Sequence, residues 1–399
     1  MKSAVYKVLL LCGVLAPVGH AGVSLADSAP LIGMPDSYAI RYNAYVNVGY
    51  DDNVNCSERD EEKGGFVRFG VGASYADYES VSRLSYNARI GAQLYNKDSN
   101  GTSDRLFSDI SLGANFSHSF ASDSSYTGSF SLSYTPDPDY SQAYTSAYTH
   151  GDCLMWSFNN TYSQGIDERW SWNASLGFSG NHYSESQYSD DNRYYLSATA
   201  GLAYAADPRT TYGVNLSFRY DSRNMGYNSE NLYLTGYVRH LLSPISSCYL
   251  SVGSQMKTVD SELNFYPTFS ASYRRELTEG LSANVYASLD NENVGTYVRS
   301  TGGNFLSDFT WRVGCSLTYA YTPTVSFSGG VSLVESDYSK GTNNMRDANR
   351  TSWTANVGMS YVFTETLTGN INYSFTSNDG GVGYNYDRNV ISTGLNYSF

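Results

Sequence analysis

From about residue 41 to the end of the chain, apolar and polar residues alternate with a period of two in segments of about 9 to 14 residues. Leu84, Tyr86, Ala88, Ile90, Ala92 and Leu94 fall on one face of such a segment, and Arg83, Ser85, Asn87, Arg89, Gly91 and Gln93 on the other. The same division separates Trp170, Trp172, Ala174, Leu176 and Phe178 from Ser171, Asn173, Ser175 and Gly177. It recurs where Trp353, Ala355, Val357, Met359, Tyr361 and Phe363 oppose Thr354, Asn356, Gly358 and Ser360. Side chains of a strand point alternately to opposite faces, so each segment predicts a strand with one apolar and one hydrophilic surface. About 18 such segments occur. They centre near 42–50, 65–76, 81–95, 105–118, 124–134, 153–163, 170–183, 193–205, 210–220, 230–241, 247–257, 262–275, 280–290, 307–321, 323–336, 351–363, 365–377 and 386–399.

The connections between segments alternate in length. Short turns fall at Asp207-Pro208, Ser243-Pro244, Thr322-Pro323 and Thr364-Glu365. Long loops fall near 51–64, 135–152, 291–306, 337–350 and 378–385. In a membrane-spanning barrel the short turns face the periplasm and the long loops face outward. Backbone groups in hydrocarbon need internal partners, and a sheet satisfies all of them only when it closes without an edge. The pattern therefore predicts an all-β fold, a transmembrane antiparallel up-and-down barrel of about 18 strands. A soluble sandwich normally has shorter strands, and a solenoid would show a fixed sequence repeat, which is missing here.

Composition agrees with a wall between lipid and water. Charged residues are only 16% of the chain, while Tyr (38) and Gly (36) are abundant. Tyr suits the headgroup level of a bilayer, and Ser, Asn and Gly suit a wet interior. Beyond the N-terminus no run of about 18 apolar residues could form a membrane helix. Lys2 and Lys7, the apolar run from Val8 to Val18 and the small residues Ser24-Leu25-Ala26 predict a secretory signal over 1–26, with Gly19-His20-Ala21 as a second cleavage candidate. A lipoprotein signal ending at Cys12 is the alternative, but Leu11 stands where a small residue is needed. A short periplasmic segment, 27–40, and the barrel, 41–399, complete the predicted organisation. No plug or passenger domain fits between the signal and the first strand.

The chain ends Ser392-Thr393-Gly394-Leu395-Asn396-Tyr397-Ser398-Phe399. Leu395, Tyr397 and Phe399 share a face and are expected to point to lipid. The pattern resembles the C-terminal signal of bacterial outer-membrane barrels, with Gly394, Tyr397 and Phe399 at its marked positions, and implies the barrel assembly machinery as a partner. The opening strand and its exit, Tyr45-Val46-Asn47-Val48-Gly49-Tyr50-Asp51-Asp52-Asn53-Val54, resembles that of the β-barrel porin 2 family. That resemblance implies an outer-membrane barrel of porin type, without catalytic residues to carry over. Some relatives in that family are linked to polysaccharide export.

Barrel enzymes need a His beside a Ser or carboxylates. His118 and His240 fall near periplasmic strand ends and His150 in a long loop. His182, with Ser184, Glu185, Asp190 and Asp191 nearby, is the best enzyme candidate, and a solvated outer loop is the favoured reading of it. No Gly-x-Ser-x-Gly, His-Glu-x-x-His or P-loop motif occurs. No cofactor is implied, and Cys56, Cys153, Cys248 and Cys315 lack zinc spacing. Cys56 and Cys153, both assigned to the outer side, are candidates for a disulfide.

The alternation places Arg68, Arg89, Arg219, Arg239, Arg274 and Arg312 inward, with Asp109 and Asp290 among few acids; these eight are the candidate pore-lining residues. A basic stripe in a water-filled barrel would favour anions. Alternatively the arginines pair with acids or snorkel at the rims. The first long loop holds Asp51, Asp52, Glu58, Asp60, Glu61 and Glu62, which could meet outer-leaflet glycolipid through divalent cations. The expected function is passive diffusion of small hydrophilic solutes across the bacterial outer membrane. The alternatives are a structural or polysaccharide-export-associated barrel of little conductance, and a barrel hydrolase. The expected surroundings are outer-membrane lipid and glycolipid. Nucleic acid is not expected, and no residue identifies an interface for a homo-oligomer.

Overall fold

Alternation of this kind leaves one face of every strand apolar and the other polar, and the chain buries neither by layering. It closes on itself. The computed structural model describes residues 40–399 apart from 55–60, 62, 79–80, 98–104, 136–152, 184–191, 225–227, 260–261, 293–296, 299–302, 342–347 and 381–384. The predicted signal, Cys56, His150 and the residues 184–191 beside His182 lie outside the described residues.

In chain order the strands are β1 (Arg41–Asp51), β2 (Gly64–Tyr78), β3 (Ser82–Lys97), β4 (Arg105–Ala121), β5 (Ser124–Thr135), β6 (Cys153–Gly165) and β7 (Trp170–Tyr183). There follow β8 (Arg193–Asp207), β9 (Thr210–Arg223), β10 (Ser229–Ser243), β11 (Ser246–Val259), β12 (Glu262–Thr278) and β13 (Leu281–Glu292). The last are β14 (Tyr297–Val298), β15 (Gly303–Thr322), β16 (Val325–Gly341), β17 (Ala348–Val362), β18 (Leu367–Gly380) and β19 (Tyr386–Ser398). β14 is a two-residue strand on the outer extension of β15, and β13 pairs directly with β15. Among the described residues the other eighteen strands form one antiparallel sheet in sequential order. The sheet closes where β1 meets β19, from Asn43↔Ser398 to Asp51↔Val390. Beyond that register, Tyr42 and Phe399 exchange backbone bonds, N to O, of 2.9 and 2.8 Å.

The apolar faces all point out. Val357 is 64% exposed, Ile90 58% and Phe265 70%. A continuous apolar belt on a closed barrel is the surface a bilayer covers, and water would not support it. Aromatic pairs ring both ends of the belt. Trp170–Tyr204 (4.9 Å) and Tyr361–Phe363 (4.7 Å) lie beside short turns, and Trp353–Phe375 (4.6 Å) and Trp156–Tyr194 (5.8 Å) near the opposite end. These are the two girdles of a membrane-spanning barrel.

The short turns carry their own oxygen acceptors. Asp167 Oδ1 accepts from the backbone N–H groups of Arg169 and Trp170, each at 2.7 Å, which holds its carboxyl below the ordinary aspartate range. Thr322 and Thr364 accept in the same way from the residues two and three positions on. Gly280 takes φ +78° between β12 and β13, a conformation that side-chain-bearing residues avoid.

Three long loops are shorter than the alternation suggests. β15 already begins at Gly303, β16 runs to Gly341, β17 begins at Ala348 and β18 runs to Gly380. Apolar alternation stops at the lipid boundary, whereas hairpin hydrogen bonding continues into water on polar residues.

Candidate functional site: the barrel interior

Strand parity sets what the interior can do. The inward positions of β5 to β13 are mostly small hydroxyls and amides, and they line an open chamber of about 260 Å³. Its wall includes Ser131, Ser157, Asn173, Ser197, Thr235 and Ser251, with Arg219 and Asp290 as the charged members. Hydroxyl and amide side chains are the commonest along this wall, beside Met155, Tyr195 and Tyr233.

All eight predicted charged residues stand on inward parity, but they are not one stripe. Arg68 Nε lies 3.1 Å from Asp109 Oδ2. Arg89 lies over the Tyr45 ring at 5.1 Å. Tyr45 can lie flat there because its register neighbours Gly70 and Gly91 have no side chain; a Cβ on Gly70 would meet the Tyr45 hydroxyl at 2.7 Å. Arg219 lies over Tyr195 at 4.5 Å, and Arg193 approaches the same ring at 5.1 Å while lying 3.5 Å from Asp221. Arg312 and Asp290 are buried, at 3% and 4% exposure. Arg239 is half-buried, and only Arg274, near the short-turn end, is exposed. Arg68 is thus offset by a carboxylate and Arg89 and Arg219 by a ring face, while Arg312 and Asp290 are buried in the wall.

Sequence reasoning passed over a second inner group. Gln255 is fully buried and donates to Asn231 Oδ1 (2.7 Å) and to the Asn291 carbonyl (2.9 Å). Lys257 Nζ donates to Asn291 Oδ1 at 2.8 Å, and Thr310 and Ser336 share a 3.1 Å bond. These residues thicken the inner wall of β10 to β16 toward the outer end. Inward parity alone flags Lys257, but its partners require the register.

The histidines do not assemble a catalytic group among the described residues. His118 and His240 stand on the outward face at the short-turn end, bonded to Ser82 Oγ (2.7 Å) and Thr210 Oγ1 (2.9 Å). His182 contacts the Asn192 amide at 3.1 Å. Cys153 opens β6 on the inner face and is buried, while Cys248 and Cys315 stand outward. Of the assembly-signal residues, Tyr397 and Phe399 face out, 48% and 65% exposed. Gly394 faces in, where a Cβ would collide with Asn47.

No family model matches the chain, and no curated protein matches it. Solved structures do. The Pseudomonas aeruginosa outer membrane protein OpdK, solved with vanillate, is 13% identical over 90% of this chain and 99% of its own, with TM-score 0.47. OccK5 (OpdH) from the same organism is 10% identical over 90% and 98%, with TM-score 0.46. The siderophore receptor PirA, also from P. aeruginosa, is 11% identical over 92% and 81%, with TM-score 0.45. The barrel described above rests on its own strand pairing.

Proposed function

We propose that the protein is an outer-membrane channel through which small hydrophilic solutes diffuse passively, without cofactor or catalysis. The observation that carries this reading is the hydroxyl- and amide-lined chamber inside a closed eighteen-strand barrel. Barrels of 16 to 18 strands are wide enough for an aqueous channel. Fixed charge sets ion selectivity in a pore, and here Arg68 is paired with Asp109 while Arg89 and Arg219 lie against tyrosine rings, so the channel discriminates weakly between anions and cations. Lipid and glycolipid surround the belt, the assembly machinery reads the last strand, and the first strand's likeness to the β-barrel porin 2 family belongs to the same reading.

Purified protein in a planar bilayer is expected to give discrete conductance steps. In a salt gradient the anion-to-cation permeability ratio should lie within about threefold of unity. A silent barrel would displace the channel in favour of a structural or polysaccharide-export-associated role. Strong anion selectivity would show instead that the arginine charges act on the lumen uncompensated.

A further inference from the structure

We propose that Asp51, Asp52 and Asn53, with Arg388 and Asn389, form a latch that locks the closing seam between β1 and β19 at its outer end. The seam differs from every other junction of the sheet. The other neighbouring strands are tethered by a connection of the chain, whereas β1 and β19 meet from opposite ends of the barrel sequence. Closing so long a loop costs the most chain entropy, and nothing covalent holds the junction afterwards.

The contacts at that place are of the strong kind. Arg388 grips Asp51 bidentately: Nε lies 3.2 Å from Oδ1 and 3.0 Å from Oδ2, and Nη2 lies 2.6 Å from Oδ2. The Asp51 side chain is fully buried and that of Arg388 is 21% exposed, so water screens the pair little. Asp51 Oδ1 also accepts the Asn53 N–H at 3.0 Å, which turns the chain sharply out of β1. Asn53, fully buried, donates through Nδ2 to the Asp387 carbonyl at 2.8 Å. Asp52 completes the set. It accepts from the Asn389 N–H (2.6 Å) and side-chain amide (2.7 Å), and its own N–H donates to the Asn389 carbonyl at 3.1 Å.

Three consecutive residues leaving the first strand thus bind three consecutive residues entering the last one. At the short-turn end the same seam has the Tyr42–Phe399 backbone pair, with their rings stacked at 6.0 Å. The latch secures the other end. Without it the outer ends of β1 and β19 would be held by their backbone ladder alone, and any fraying would expose edges open to pairing with another chain. The Asp-Asp-Asn motif therefore has a seam-closing role, independent of what crosses the lumen.

Hydrogen–deuterium exchange on the folded full barrel in nanodiscs tests this. Asp52→Ala, and separately the double variant Asp51→Asn with Arg388→Gln, should speed exchange at residues 389–393 by about tenfold, with β10 and β11 unchanged. Arg68→Gln, which breaks an inner ion pair away from the seam, should leave residues 389–393 as in the wild type. The double variant matters because Arg388→Gln alone orphans a buried carboxylate and can fail to fold for that reason. Wild-type seam exchange in both the double variant and Asp52→Ala would overturn the latch. So would an equal rise around the whole barrel, which would mark these residues as general stabilisers.

Discussion

Val357→Arg is expected to cost the folded barrel about 2–4 kcal/mol, whereas Asn356→Arg, one residue away, should cost less than about 1 kcal/mol. Val357 lies on β17 midway between the girdle residues Trp353 and Tyr361, and its side chain is 64% exposed to the outside. At that depth a guanidinium cannot reach either headgroup layer without distorting the bilayer. Asn356 points into the lumen, where a new cation meets water. The pair of substitutions carries the same charge change at the same height, so only the face differs. Urea unfolding in lipid vesicles measures both. Equal costs would mean that the outer face is not in lipid, and the membrane-spanning reading would fall with it.

Gly70→Val should destabilise the barrel by about 1–3 kcal/mol for a different reason, overpacking on the inner face. A Cβ at Gly70 would lie 2.5 Å from the Ile90 carbonyl oxygen, 2.8 Å from the Gly91 Cα and 2.7 Å from the Tyr45 hydroxyl. Two of these three neighbours are backbone of β3 and cannot swing away. Combining the change with Tyr45→Ala removes the third contact, and with it the stacking that holds Arg89. Part of the lost stability should return, giving a coupling of about 0.5–3 kcal/mol in a double-mutant cycle. Strictly additive losses would show that Tyr45 does not rest on the Gly70–Gly91 floor.

Much of this architecture was legible before any coordinate. The eighteen strands, the short turns at Asp207-Pro208 and Thr322-Pro323 and the outward aromatics of β19 follow from alternation and turn chemistry, which are local. The faces of Arg68, Arg89 and Arg312 were legible for the same reason, since parity is counted along one strand. Their electrostatic state was not. Whether Arg68 is a free lumen cation or half of a pair depends on Asp109, two strands away, and the sequence spacing between them says nothing about it. Gly394 shows the same limit. It reads as one position of a C-terminal pattern, yet its lack of a side chain is used by Asn47 of the first strand.

The period-two alternation by itself determined that this chain makes two-faced strands, and their number and turns determined a closed wall between lipid and water. Only the tertiary structure decided which residues meet across that wall. A side chain's face depends on its own strand, but its neighbours depend on register, and register is shared by the whole sheet. That is why Asp51 and Arg388, 337 positions apart, become partners only when the barrel closes.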